Sequence, residues 1–211
     1  MLKINEIFHS IQGESSKSGT PCVFIRLTYC NLRCSYCDSE YSFYEGEDMS
    51  IADILKEIKK YNCKLVEVTG GEPLLQKKSI DLMKALLIEK YTVMLETSGS
   101  IPINNVPKEV IKIIDFKCPS SDMHKKNNWD ILKNVQQHDE IKFVISNLDD
   151  YKWVKDKLKK YNFKNNTILF SPTHNQLDPK ILSEWILKDG LNVRVQIQLH
   201  KYIWDADTKG V

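Results

Sequence analysis

The sequence lacks any long apolar run, and no stretch approaches the roughly 18 consecutive apolar residues that a membrane-spanning helix needs. Residues 1–6 also lack the apolar region of a secretory signal, so we expect a cytoplasmic protein. Neither sign of charge is in excess, because 30 Lys and Arg residues stand against 28 Asp and Glu residues, a formal net charge of +2. This balance gives no reason to expect nucleic acid or a membrane surface as a partner.

Linkers, internal repeats and low-complexity segments are missing as well. A hydrophobic content of 42% and a charged content of 27% are ordinary for a globular protein with a substantial core. A chain of 211 residues is long enough for one large domain or two small ones. Without a linker to divide it, we expect a single domain over residues 1–211.

The chain has an alternation of β-rich and helical segments. Residues 22–28 form a β-rich run, and Ser50 with Asp53 gives a capping pattern before a helical periodicity. Further predicted strands lie at 65–69, 92–96, 110–116, 141–146, 167–171 and 192–199. Predicted helices lie at 51–61, 80–87, 129–137, 154–161 and 178–185.

Repeated β–α units predict a parallel sheet with right-handed crossovers and outer helices. A complete eight-fold barrel needs about 250 residues, and residues 98–108 have the composition of a loop. We therefore predict an α/β fold, an incomplete and partly open TIM-like barrel of about six parallel strands. Functional residues are expected at the carboxyl ends of these strands.

Three of the six cysteines, Cys30, Cys34 and Cys37, are spaced C-x3-C-x2-C in a short loop. Thiolates are soft ligands that suit iron–sulfur clusters or zinc, and such short gaps let one loop surround one centre. A cubane cluster has four irons, so three cysteines leave one iron open to a substrate or cofactor. The other thiols, Cys22, Cys63 and Cys118, are scattered, and we interpret them as inert core or near-surface residues.

The cysteine loop is followed one β–α unit later by the sequence TGGEP at residues 69–73, and together they resemble the radical S-adenosylmethionine (SAM) enzymes. The resemblance implies a radical SAM core in which Cys30, Cys34 and Cys37 hold a [4Fe-4S] cluster and SAM chelates the open iron. An electron from the cluster then yields a 5′-deoxyadenosyl radical. The residues implied to contact SAM are Tyr36, Cys37, Asp38, Gly70, Gly71, Glu72, Ser98, Lys117, Ser120, Ser171, Pro172 and Thr173.

Further motifs narrow the resemblance. The sequences EIFHSIQGE at 6–14, FIRL at 24–27, CDS at 37–39, ETSG at 96–99 and QLHKYIW at 198–204 occur in this order. Over nearly the whole chain they resemble the 7-carboxy-7-deazaguanine synthases of the queuosine and 7-deazapurine pathway. The resemblance implies a carbon–nitrogen lyase that converts 6-carboxy-5,6,7,8-tetrahydropterin to 7-carboxy-7-deazaguanine with loss of ammonia. SAM would be used catalytically. A homodimer, an amino-terminal substrate-binding extension, a short carboxyl-terminal tail and an electron donor such as flavodoxin or ferredoxin are also implied.

The same resemblance implies a set of substrate-binding residues and a Mg²⁺ ion held through Ser39. In chemical terms, Gln12, Glu14 and His200 suit the amide and amine edge of a pterin, and the fork of Arg26 suits its carboxylate. The implied substrate set is Ile11, Gln12, Gly13, Glu14, Arg26, Thr69, His200 and Val211. Many relatives have threonine where this chain has Ser39, and they end soon after the tryptophan, whereas here residues 205–211 follow.

Two alternatives remain at the level of the sequence. An activating enzyme for a glycyl-radical protein shares the short barrel and the cysteine loop, but it would lack the pterin-reading residues. An iron–sulfur electron carrier or a zinc module would need a fourth ligand near the loop, and Cys22 lies eight residues before Cys30.

Overall fold

A single twisted sheet carries the fold of the computed structural model, which describes residues 1–163, 165–206 and 208–211. Its strands are β1 (Leu2–Ile11), β2 (Pro21–Leu27), β3 (Glu47–Met49), β4 (Leu65–Gly70), β5 (Thr92–Thr97), β6 (Ile111–Asp115), β7 (Glu140–Ile145), β8 (Thr167–Pro172) and β9 (Arg194–Val195). The strand order is β3-β1-β2-β4-β5-β6-β7-β8-β9. From β2 to β9 all neighbours are parallel, while β1 is antiparallel to β2 and β3.

The predicted open barrel is confirmed, since within the described residues β3 and β9 each pair on one side only. Six full-length parallel strands, β2 and β4 to β8, form its wall, and the two-residue β9 extends it. The antiparallel strand β1 was not predicted.

Four helices cover the outer face of the sheet: α1 (Ile51–Ile58), α2 (Ser79–Ile88), α3 (Leu148–Lys160) and α4 (Pro179–Asp189). The single turn α5 (His200–Ile203) lies at the inner cavity instead. Ser50 caps α1 by accepting a hydrogen bond from Asp53 N at 3.1 Å, as the capping pattern predicted. None of the helices in the described part of the chain combines the length and apolar character needed to cross a membrane.

Period-two alternation in the strands separates an apolar outer face from a polar inner face. On β4, Val66 and Val68 belong to the main hydrophobic core with the helices, whereas Glu67 and Thr69 line the inner cavity. The inner face also carries a small buried cluster of Met94, Ile113 and Leu169, so the space for ligands is the part lined by polar residues.

Two element predictions were wrong. Residues 129–137 were predicted as an α-helix, but only Trp129–Lys133 is helical and it is a 3₁₀ turn. There the Trp129 ring stacks on Phe116 and Tyr161, at centroid distances of 4.5 and 4.3 Å, so packing fixes the segment. The strand predicted at 192–199 contains only β9, because Gln196 and Gln198 turn inward and donate hydrogen bonds to Glu14.

Candidate active site

One cavity of about 720 Å³ extends from the carboxyl ends of the parallel strands into the inside of the barrel. It is lined by the ends of β4, β5, β6 and β8, by the cysteine loop after β2, by the turn after β1 and by the carboxyl-terminal tail. The carboxyl-end placement predicted from the β–α pattern is therefore confirmed. All three cysteines of the C-x3-C-x2-C loop line this cavity.

The cysteine loop is held by short local hydrogen bonds. Cys37 N donates to Cys34 O at 3.2 Å, and Leu32 N donates to the Cys30 sulfur at 3.4 Å. The three thiols are free and partly buried, and burial raises the pKa of Cys34 to about 11. Binding a metal centre therefore has to displace a proton from Cys34.

The donor set fits a four-iron cluster with one open iron, because three free thiols lie within one short loop that lines the cavity. Outside the loop, Cys22 and Cys118 are buried and do not line the cavity, and neither does Cys63.

The glycine segment at the end of β4 packs directly against the cysteine loop. A Cβ at Gly71 would lie 2.3 Å from Tyr29 O, and Gly70 has a φ of +135°. Glu72 N donates to Tyr29 O at 2.8 Å. The two glycines are thus required for the close approach that joins the two predicted cofactor segments.

Two predicted SAM contacts do not line the cavity. Glu72 is fully buried, and its carboxylate accepts hydrogen bonds from Thr97 Oγ1 at 3.0 Å and Ser98 N at 2.8 Å. The Ser120 amide donates to Asp150 at 2.9 Å. Glu72 thus braces the end of β5, and Ser120 is tied to the start of α3. The predicted SAM residues that do line the cavity are Tyr36, Cys37, Asp38, Gly70, Gly71, Ser98, Lys117, Ser171, Pro172 and Thr173.

Two buried polar atoms beside the cysteine loop lack a hydrogen-bond partner in the described structure: Tyr36 OH and Asp115 Oδ1. Both residues line the cavity, and Asp115 Oδ2 accepts from Lys117 Nζ at 2.9 Å. Although burial alone favours a neutral amine, Asp115 and its neighbours hold the pKa of Lys117 above its usual value. A polar ligand at this end of the cavity would satisfy the two unpaired atoms.

The opposite end of the cavity is built around the turn after β1. Lys142 on β7 forms ion pairs with Glu14 and with Glu96, the latter at 2.7 Å. Burial disfavours the charged amine, but the three carboxylates of Glu14, Glu96 and Asp115 hold the pKa of Lys142 well above its usual value. Lys142 therefore stays charged and fixes the turn to the barrel wall.

Gln12 has its side-chain amide engaged at both ends. Its Nε2 donates to Glu67 Oε2 at 2.5 Å, and its Oε1 accepts from Glu14 N at 3.1 Å. The residue is 3% exposed. Its backbone is engaged as well, because Gln12 N donates to Thr20 O and Gln12 O accepts from Gly19 N, both at 2.8 Å. Gln12 thus shapes the turn, and its role in reading the pterin edge stays a prediction.

Arg26 lies in the cavity wall, where part of its fork is already used. Its Nε donates to Glu6 Oε1 at 2.6 Å, and its guanidinium lies near the rings of Phe8 and Tyr41. In the described part of the chain, its two terminal nitrogens make no hydrogen bond. They remain available for a ligand carboxylate.

His200 begins α5 and packs against the turn after β1. Leu199 N donates to Gly13 O at 3.0 Å, and a Cβ on Gly13 would lie 2.1 Å from His200 Nδ1. Burial lowers the pKa of His200, so its imidazole is neutral at pH 7. Gly13 is thus needed for His200 to reach the cavity.

The carboxyl-terminal tail folds back over the cavity within its described residues, which answers a question that the sequence left open. Val211 lines the cavity, and Lys209 Nζ lies 4.3 Å from the centroid of the Tyr41 ring. Ser39, predicted to hold magnesium, also lines the cavity, with its Oγ 3.8 Å from the Cys37 sulfur.

Sequence reasoning missed two charged residues in the interior of the strands. Glu67 and Lys142 both line the cavity and are each 4% exposed. The signal that could have identified them is a charged residue inside an apolar strand segment, as in LVEVTG and EIKFVI.

Comparison with known proteins agrees with this geometry. A family model described as the Radical SAM superfamily matches residues 24–186. A curated relative from Koribacter versatilis, named 7-carboxy-7-deazaguanine synthase, is 44% identical, and the alignment covers all of both chains. A relative of the same name from Chlorobaculum tepidum is 43% identical over all of this chain and 97% of its own.

Solved structures show the same fold. The QueE protein of Escherichia coli superimposes with a TM-score of 0.77 at 23% identity, covering 94% of both chains. SuiB of Streptococcus suis, solved with bound SAM, gives a TM-score of 0.55 at 14% identity, covering 81% of this chain and 45% of its own.

Proposed function

Because this chain belongs to the radical SAM superfamily and, within it, to the 7-carboxy-7-deazaguanine synthases, we propose that its cavity converts 6-carboxy-5,6,7,8-tetrahydropterin to 7-carboxy-7-deazaguanine with loss of ammonia. The observation that supports this proposal most directly is that one cavity contains both groups of residues. The three-cysteine loop lines one end of it, and the turn after β1, Arg26 and His200 line the other end.

Cys30, Cys34 and Cys37 would hold the [4Fe-4S] cluster, and SAM would occupy the adjoining part of the cavity. When bound, the cluster and SAM supply the radical that removes a hydrogen atom from the substrate. The protein side chains position and shield the reactants. Lys117 brings a charged amine beside Asp115, and Gly70 and Gly71 let the backbone approach the cofactor closely.

The substrate would lie between the Gln12–Glu14 turn, Thr69, Arg26 and His200. Arg26 offers two free terminal nitrogens to the carboxylate, in a partly buried wall that strengthens a charge-assisted bond. Neutral His200 can donate or accept a hydrogen bond. Val211 and the other described tail residues line this part of the cavity, where they would limit access of water.

A magnesium ion near Ser39 is a further part of the proposal. A hydroxyl oxygen is a hard ligand of the kind that Mg²⁺ prefers, and Ser39 lines the cavity beside Cys37. Serine lacks the β-methyl group that restricts the rotamer of threonine. We also propose that residues 1–211 act as one catalytic domain in a cytoplasmic homodimer, reduced by a flavodoxin or ferredoxin.

Anaerobic incubation of the reduced, cluster-loaded protein with SAM, Mg²⁺ and 6-carboxytetrahydropterin tests the proposal. Mass spectrometry should find 7-carboxy-7-deazaguanine, and its amount should exceed the SAM consumed because SAM is used catalytically. A Cys34→Ala variant serves as the control that lacks one cluster ligand. SAM cleavage by the parent without any deazapurine product would retain the radical chemistry but reject this substrate.

A further inference from the structure

Glu67 lies near the middle of β4, in a position where a parallel barrel strand normally carries an apolar side chain. It is 4% exposed and lines the cavity. Alternation along the strand places it on the same face as Thr69, one layer deeper. None of the roles described above uses this carboxyl group.

The partners of Glu67 satisfy only half of its carboxyl group. Oε2 accepts from Gln12 Nε2 at 2.5 Å, whereas Oε1 has no hydrogen-bond partner in the described structure. Across the same described residues, no Lys, Arg or His nitrogen lies within ion-pair distance of Glu67. Lys142, the buried cation at this end, is bonded to Glu14 and Glu96 instead.

A buried carboxyl group with neither a cation nor a full set of donors is costly to maintain. Because the group faces a cavity, a ligand that brings N–H donors removes this cost on binding. The surrounding charges favour the same kind of ligand, since Glu14, Glu96 and Asp115 outnumber Lys142 here. A ligand edge carrying a carbonyl oxygen would bring no donor for these carboxylates.

We propose that Glu67 is a specificity-determining residue, whose Oε1 accepts a hydrogen bond from the exocyclic 2-amino group of the substrate's 2-amino-4-oxopyrimidine ring. This inference rests on the proposed function. It adds an explanation of how the protein distinguishes the substrate ring, which has a 2-amino group, from an analogue that has a 2-oxo group. A site that holds a buried hydrogen-bonding group for a ligand N–H strongly rejects a ligand that lacks it.

The protonation of Glu67 gives a second, independent consequence. Burial, followed by the neighbouring Glu96, raises the pKa of Glu67 to about 8, so the free protein holds this group mainly protonated at pH 7. The other groups facing it are Gln12, Glu14 and Lys142. A ligand N–H favours the carboxylate, so binding should release a proton at pH 7.

The variant Glu67→Gln reverses the hydrogen-bonding character of the cavity at this point. Gln12 Oε1 is held by Glu14 N, so Gln12 can offer only its Nε2 to residue 67. A glutamine there must therefore turn its own carbonyl to Gln12 and its amino group to the cavity. An N–H donor then faces the 2-amino group of the ligand.

Calorimetric titration of the cluster-loaded protein with 6-carboxypterin and with 6-carboxylumazine, which carries a 2-oxo group instead, measures this reversal without turnover. The parent should prefer 6-carboxypterin, and titrations in two buffers should show proton release. Glu67→Gln should bind 6-carboxypterin about tenfold or more weakly and should lose or invert the preference. Glu89→Gln, the same change on the exposed end of α2, should match the parent.

Equal weakening of both ligands by Glu67→Gln, or an unchanged preference, would overturn the assignment of Glu67, and thermal melting of the variant would show whether its fold is intact. A parent that binds neither ligand and yields no deazapurine would reject the proposed function itself. If the parent converts the pterin but Glu67→Gln still prefers 6-carboxypterin to 6-carboxylumazine, only the role assigned to Glu67 would be rejected.

Discussion

Replacing Gly13 by alanine tests how closely the turn after β1 and α5 must approach each other. The added Cβ would lie 2.1 Å from His200 Nδ1 and 3.1 Å from His200 N, whereas carbon atoms in contact normally stay about 3.5–4.0 Å apart. His200 and the start of α5 therefore have to move by more than about 1 Å. The φ of Gly13 lies outside the left-handed region, so the expected effect is the clash rather than backbone strain.

Overpacking of this kind costs about 1–3 kcal/mol, which a domain of this size can tolerate without unfolding. A misplacement of about 1 Å at a reacting centre can lower the rate by about 100-fold. We therefore expect Gly13→Ala to lose about 100-fold in pterin turnover. SAM cleavage in the absence of pterin should persist, because the cysteine loop and glycine segment lie at the other end of the cavity.

The assay compares both activities in one preparation of the variant, with Gly190→Ala as the matched control. Gly190 ends α4 with a φ of +60°, and a Cβ added to it would have no atom within 4 Å, so alanine there adds local strain without a clash. The control should lose some stability and keep its turnover. Pterin turnover by Gly13→Ala close to that of the parent would refute the reasoning, as would equal loss of both activities.

Other perturbations probe the remaining parts of the site. Cys34→Ala should abolish SAM cleavage, because a three-cysteine cluster loses one of its ligands, and iron content with electron paramagnetic resonance checks this; a stable SAM-responsive cluster would contradict it. Ser39→Ala should lose the stimulation of turnover by Mg²⁺, measured by magnesium titration, and an unchanged response would place the ion elsewhere. Arg26→Lys loses the forked guanidinium, so pterin turnover should fall about ten- to a hundredfold while SAM cleavage without pterin survives. Parallel loss of both activities would mean that Arg26 has a structural role through its ion pair with Glu6. The raised pKa of Glu67, about 8 against an ordinary value of 4.5, means that the folded state holds an extra proton between these pH values. Stability should therefore fall as pH rises through this window, and urea unfolding of Glu67→Gln should show a shallower fall.

Local and short-range features were readable from the sequence. The spacing of Cys30, Cys34 and Cys37 lies within one loop, and the β–α alternation fixes a parallel sheet whose strand ends meet at one rim. The motif order identified the family, and helix starts such as Ser50 follow from side-chain capping within four residues. These properties depend on neighbours along the chain, so the sequence determined them.

Only the tertiary structure decided which polar side chains meet. Gln12 and Glu67 are 55 positions apart, and Glu14 and Lys142 are 128 positions apart. Period-two alternation predicts the face of a side chain but not the strand across the barrel that it touches. Glu72 looked like a cofactor contact from its motif, yet the neighbouring strand end offers donors that hold its carboxylate outside the cavity. The return of the tail to the cavity likewise depends on long-range contacts, such as Lys209 with Tyr41, which no local pattern encodes.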